Sequence, residues 1–207
     1  MKKSLQTLFI ACFLLISANV NAQSGIFLEA SQLYTTFNFV DSQGNNLSNE
    51  YTGRYTGTYG FGYSYTTDFG LLFRTGIGMR NAGARLDYDD MSYSWDMQYA
   101  QAKLGLGYSY YIGQFSPYLM AYGYYGHMLT GTQRLNNEHF DLLKSELLTE
   151  MDYGLIVSPG VEIVITENLS SFIELKYIHG FHNIETIESK TTNNRGYGLS
   201  VGLSVIF

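Results

Sequence analysis

The chain of 207 residues has a single cysteine, Cys12, and only two prolines. That cysteine lies within the first 22 residues, so nothing after it can form a disulfide, a thiolate nucleophile or a cysteine-held metal site. Charge is sparse as well, at 14% against about 25% in an ordinary globular domain. It is also lopsided, with 12 Lys and Arg against 18 Asp and Glu. An acidic chain with scattered cations lacks the basic stripe that nucleic-acid binding requires, so no nucleic-acid partner is expected. No apolar run reaches the roughly 18 residues of a membrane-spanning helix. In their place stand 19 Tyr, 13 Phe and 22 Gly. A disordered acidic chain would be poor in aromatics. This one must fold.

Met1-Lys2-Lys3 opens the chain with two cations, and Leu8 to Ile16 is apolar apart from Cys12. Small and polar residues follow in Ser17-Ala18-Asn19-Val20-Asn21-Ala22. A basic start, a short apolar stretch and a small-residue site are the parts of a secretory signal peptide, with cleavage expected after Ala22. The apolar stretch is too short to cross about 30 Å of hydrocarbon. Acylation at Cys12 is not expected, because most of the apolar stretch follows that residue. Losing Lys2 and Lys3 leaves 10 cations against 18 anions, a formal charge of −8 on residues 23–207.

Beyond residue 23 the strongest signal is alternation, the mark of a strand whose successive side chains face opposite ways. Tyr197, Leu199, Val201, Leu203, Val205 and Phe207 alternate with Gly196, Gly198, Ser200, Gly202 and Ser204. Tyr55 to Tyr65 repeats the pattern, as does Tyr99 to Tyr110, where Ala102, Leu104 and Leu106 oppose Gln101, Lys103 and Gly105. Segments starting at Leu71, Met151 and Ile173 behave likewise. Segments 25–39 and 116–127 read as strands whose facing stays ambiguous. That makes eight strands. Short turns are expected at Thr66–Asp68, Ile112–Phe115 and Thr166–Leu169, and long polar loops at about 40–54, 84–98, 128–150 and 181–194.

Two readings of a meander compete. A soluble barrel turns its apolar face inward and meets water with Lys, Glu and Asp. Here the face opposite the apolar one is mostly Gly, Ser and Thr, which suits a crowded narrow interior. The expected fold is therefore an all-β, eight-stranded antiparallel up-and-down transmembrane β-barrel, with short periplasmic turns and four long extracellular loops. Outer-membrane lipid would meet the apolar face. Arg74, Arg80, Lys103, Glu162, Glu174 and Lys176 sit at inward parity, so they are expected to pair in the lumen; an unpaired charge there would be costly.

The sequence resembles the outer-membrane β-barrel domain family that includes the PorT-like proteins. The resemblance rests on Val20-Asn21-Ala22-Gln23, on the run from Gly160-Val161-Glu162 to Glu174-Leu175-Lys176-Tyr177, and on the last strand, Tyr197 to Phe207. It implies an integral outer-membrane protein spanning residues 23–207, handled during export by periplasmic chaperones and the barrel assembly machinery. By the same resemblance, Phe207 looks like the terminal assembly signal. No catalytic motif comes with it.

Candidate chemistry is thin. Asp87, Asp89, Asp90 and Asp96 cluster near Tyr88, Tyr93 and Trp95, but their spacing misses the glycine-centred calcium loop. His179 and His182 stand three apart, a spacing that suits a metal on a helix and not on a strand. The deacylase-type His-x-Ser-Asn run is absent, and no metal or cofactor is expected. Loop 128–150, in which Asn136 to Lys144 is expected as a short helix or an excursion, is the best partner-binding segment by length. The expected role is non-enzymatic, as an envelope component or loop-display binder with an unknown partner. The alternatives are a lipid-modifying hydrolase or a narrow-channel transport protein.

Overall fold

The computed structural model describes residues 23–89, 91–136, 138–145, 147–187 and 189–207. The expected signal peptide, with Cys12, and the residues Asp90 and Asn137 lie outside them. Among the described residues, ten strands, a 3-10 turn (Ser48–Glu50, between the first two strands) and one α-helical turn follow in order: β1 (Gln23–Val40), β2 (Tyr51–Thr66), β3 (Leu71–Ala82), β4 (Ala84–Tyr88), β5 (Met91–Ser109), β6 (Phe115–Leu135), β7 (Glu138–Asp141), α1 (Leu142–Ser145), β8 (Met151–Thr166), β9 (Leu169–Gly180) and β10 (Thr191–Ile206). All pairings are antiparallel between neighbours in the chain, and β1 closes the ring on β10 from Gly25↔Ile206 to Val40↔Thr191. β4 continues the line of β3, and β7 is a flap on β6. The barrel therefore has eight strands. Closure leaves no open edge, which hydrocarbon could not satisfy.

Short connections (67–70, 110–114 and 167–168) crowd one end, together with both termini of the barrel. There the Phe207 amide donates to the Ser24 carbonyl at 2.9 Å. Gly70 and Gly113 supply the positive φ that two of these turns need. The long connections gather at the other end.

Two long segments expected as loops, 84–98 and 128–150, are instead largely strand. β4 and β5 pair from Arg85↔Ser94 to Tyr88↔Met91, and β6 runs on to Leu135 before folding back through β7. The helical turn occupies Leu142–Ser145 rather than Asn136–Lys144. The physical reason is depth. Past the apolar zone a strand has no need of an apolar outer face, so its period-two contrast vanishes while its ladder continues. The hairpin tips carry Asp89 and Asn136 at positive φ, residue types that tolerate it better than most.

The facing follows parity where parity was clear. Leu104 is 68% exposed and Leu203 52%, whereas the alternating Lys103 and Ser204 are buried. The two ambiguous strands resolve as follows. β6 turns Tyr118, Met120, Tyr122, Tyr124 and Met128 inward, with Leu119, Ala121 and Tyr125 outward. β1 turns Phe27, Glu29, Leu33 and Phe37 inward, with Ile26 and Leu28 outward. Both strands are apolar on both faces.

Inward glycines make room for these bulky groups. A Cβ on Gly62 would meet Phe27 Cζ at 2.6 Å, and one on Gly202 would collide with the Phe172 ring. A narrow barrel fills its taper by setting large side chains over small ones. Phe27, Phe172, Tyr118, Tyr122 and Ile178 accordingly form one buried cluster inside the ring.

Candidate functional site

Eight strands enclose a lumen that side chains can fill, and here charges fill it as well. Nearest the short-turn end, Glu162 on β8 accepts a hydrogen bond from the Ser170 hydroxyl and lies 3.4 Å from Arg74 on β3. Arg74 also reaches Glu174 on β9 at 3.7 Å. Glu174 accepts from the Tyr118 hydroxyl at 2.9 Å and lies 3.3 Å from Lys176. Lys176 donates to Glu29 and to the Ser31 hydroxyl, each at 3.1 Å. The other oxygen of Glu29 accepts from Lys103 at 2.6 Å. Six charged groups from five strands thus form one chain.

Aromatic rings pad the cations. The Arg74 guanidinium lies 4.7 Å from the Tyr118 ring centre and 4.9 Å from that of Phe172, and Lys103 lies 4.7 Å from Tyr122. Cations desolvated against ring faces gain from the ring quadrupole. This explains why β6 spends three tyrosines on the interior.

A second group sits toward the long-loop end. Arg80 is paired with Asp152, both fully buried. Tyr124 and Asn194 donate to the same Asp152 carboxylate, at 3.2 and 3.0 Å. Among the described residues the two groups hold four cations and four anions, and they balance. All six charges marked by sequence parity face the lumen, each within 4 Å of an opposite charge. Sequence reasoning missed Glu29 and Asp152. Asp152 was visible, at inward parity on β8. Glu29 had no such signal, because its strand is apolar on both sides.

The long-loop end is roofed. Leu142 of α1, with Leu148 and Ile184 from the two last long connections, packs onto Phe37, Met97 and Met128, all nearly or fully buried. Backbone bonds fix the roof: Thr149 donates to Ile184 at 2.7 Å, and Met128 to Glu150 at 2.6 Å. Phe37, Tyr51 and Trp95 ring it with centroids 5.7 to 5.8 Å apart. In the loop at 41–50, hydrogen bonds from the Asn45 amide and nearby backbone N–H groups hold the Asp41 carboxyl below its ordinary range.

The remaining sequence candidates lie apart from the lumen. Asp87, Asp89 and Asp96 spread along the β4–β5 hairpin, and Asp96 pairs with Arg54 at 3.0 Å. His179 stacks on Tyr177 and meets Phe181 edge-on, and His182 lies against Tyr153. His127 is 3.6 Å from Glu150 at the surface, and His139 is exposed on β7. Among the described residues no three His, Cys, Asp or Glu groups converge on a possible metal position.

No protein-family model and no curated protein sequence matches the chain. Solved structures share its architecture, two of them as follows. The outer membrane protein OprG from Pseudomonas aeruginosa is similar with a TM-score of 0.61 at 13% identity, covering 91% of this chain and 97% of that one. Neisserial surface protein A is similar with a TM-score of 0.53 at 16% identity, covering 89% and 99%. The fold is that of a small outer-membrane β-barrel. An apolar outside, a charge-balanced inside and a closed ring are what that fold requires of a sequence.

Proposed function

We propose that this barrel is a non-enzymatic integral protein of the outer membrane whose working surface is the roofed long-loop end, presented outward to a protein or glycan partner. The observation that carries the reading is the filled interior. Side chains pack the lumen, ion pairs neutralise its charges, and Leu142, Leu148 and Ile184 close its mouth. A wide pore has no place in such an interior, so recognition falls to the exposed roof, where Phe140, Leu147 and Ile187 are 41 to 45% exposed. The channel and hydrolase alternatives draw no comparable support from the placement of the histidines or the lumen charges.

A photo-crosslinking residue at Phe140 or Leu147, expressed on intact cells, should trap a discrete partner that the same residue at Tyr63 does not. The purified protein in a planar bilayer should show no steady conductance. Ohmic conductance, or hydrolysis of lipid in vesicles, would overturn the reading.

The same reading assigns Phe207 to assembly. It follows β10 at the short-turn end and is 69% exposed, while its amide ties the terminus to β1. Before β10 meets β1 the barrel has two open edges, so whatever engages the last strand controls closure. Deleting Phe207 should sharply lower the heat-modifiable folded fraction in cells, while unassisted refolding in detergent suffers much less. Equal losses in both settings would leave Phe207 only an interfacial anchor.

A further inference from the structure

Near the long-loop end the hydrogen-bond ladder of the wall lapses between β2 and the line of β3 and β4. β2 pairs with β3 up to Thr58↔Arg80 and resumes with β4 at Gly53↔Ala84, leaving Arg54 to Gly57 without partners on that side. A cleft of about 650 Å³ opens there. Its polar end is formed by Arg54, Asn81 and Asp96, and its apolar end by Ala30, Leu199 and Val201. A second cleft of about 420 Å³ shares Ala30 and Val201 and continues beside Phe61 and Leu203. Together they make one groove along β1, floored by the small residues Ala30 and Gly57.

Depth orders its two ends. Tyr34 has ring contacts with Tyr55 at 5.4 Å and Tyr197 at 5.5 Å, an aromatic cluster at the level of the polar end. Such clusters sit where headgroups meet hydrocarbon. The register Tyr34↔Tyr197, Gln32↔Leu199, Ala30↔Val201 then carries the groove down into the apolar zone. Asn81 and Asp96 each neighbour a buried inward residue, Arg80 and Met97, and so stand on the outer face. Arg54 lies opposite the buried Thr35, at inward parity, and its guanidinium reaches the outward Asp96; an aspartate on a lipid-facing wall is costly unless polar groups meet it. Arg54 spends Nη1 on the Trp95 carbonyl and Nη2 on Asp96, and its buried Nε has no partner.

We propose that this groove holds one zwitterionic phospholipid, with its phosphate on Arg54, its amine on Asp96 and an acyl chain along Ala30 and Val201. The site is net neutral, with one cation and one anion 3.0 Å apart. A phosphate-plus-ammonium head is the reciprocal arrangement, whereas a multiply phosphorylated glycolipid would leave charge unmatched. The neighbouring cleft between β2 and β5, by Ile77 and Ala102, has an almost wholly apolar lining and no charged end, and it selects no head. The assignment rests on the outer wall facing lipid, as proposed above.

The test is native mass spectrometry of the barrel released from nanodiscs containing equal phosphatidylethanolamine, phosphatidylglycerol and lipid A. Gly57→Leu is the decisive variant, because a Cβ there meets only the Ser31 carbonyl, at 3.9 Å, and so fills the groove without a clash. The parent should keep one phosphatidylethanolamine in preference to phosphatidylglycerol by about tenfold, the worth of one charge-assisted hydrogen bond. Gly57→Leu should lose that retention, Ala102→Leu should keep it, and Asp96→Asn should abolish the preference between the two phospholipids. Equal retention by Gly57→Leu, or preferential retention of lipid A, would overturn the assignment while leaving the membrane reading intact. Failure of the parent to insert at all would overturn both.

Discussion

Glu29→Gln should destabilise the barrel by about 3–5 kcal/mol, the loss that follows when one partner of a buried ion pair is removed. Glu29 is the shared acceptor of Lys103 at 2.6 Å and Lys176 at 3.1 Å, and all three side chains are at most 6% exposed. Neutralising it leaves two ammonium groups facing one remaining carboxylate, Glu174, which lies 3.3 Å from Lys176. Lys103 then has only ring faces beside it. The distinguishing result is the double variant. Glu29→Gln with Lys103→Met leaves Lys176 on Glu174 and restores a balanced interior, so it should recover most of the loss. Urea unfolding in detergent, followed through Trp95, measures both. Additive losses would mean that the lumen charges do not act as a network.

Leu104→Arg and Leu203→Arg should each cost about 2–4 kcal/mol if the site lies near the bilayer midplane, and less toward either interface. Both leucines are more than half exposed, so in a water-soluble barrel the same change would be harmless. Only lipid makes it expensive. Phe140→Arg, on the exposed β7 flap, is the control, expected within about 0.5 kcal/mol of the parent as for ordinary surface substitutions. Refolding into vesicles should therefore rank the three variants by depth rather than by hydrophobicity.

Legibility in the sequence followed the membrane. β10 and the lower part of β5 read cleanly, because lipid outside and a small-residue interior impose opposite chemistries on successive residues. β1 and β6 did not. Phe27 and Leu33 inward against Ile26 and Leu28 outward give no contrast, nor do Tyr122 and Tyr124 against Tyr125. Parity marked six lumen charges but gave none of their partners, since a pair such as Lys103 and Glu29 is 74 residues apart in sequence. The roof was beyond reach for the same reason: Leu142, Leu148 and Ile184 lie in polar stretches that look like separate loops. Strand beyond the apolar zone, in β4 and the upper parts of β5 and β6, left no periodic trace and read as loop.

The most direct test of the inside-out barrel uses the absence of cysteine from residues 23–207. Single cysteines at Leu199, Val201 and Leu203, and at Ser200 and Ser204, can each carry a spin label in vesicles. Collision rates with lipid-soluble oxygen should alternate, high at 199, 201 and 203 and low at 200 and 204. A water-soluble relaxant should reach none of the five. High rates with the water-soluble relaxant at 200 and 204 would mean an open aqueous lumen, and at 199, 201 and 203 a barrel outside the bilayer; either would contradict the account.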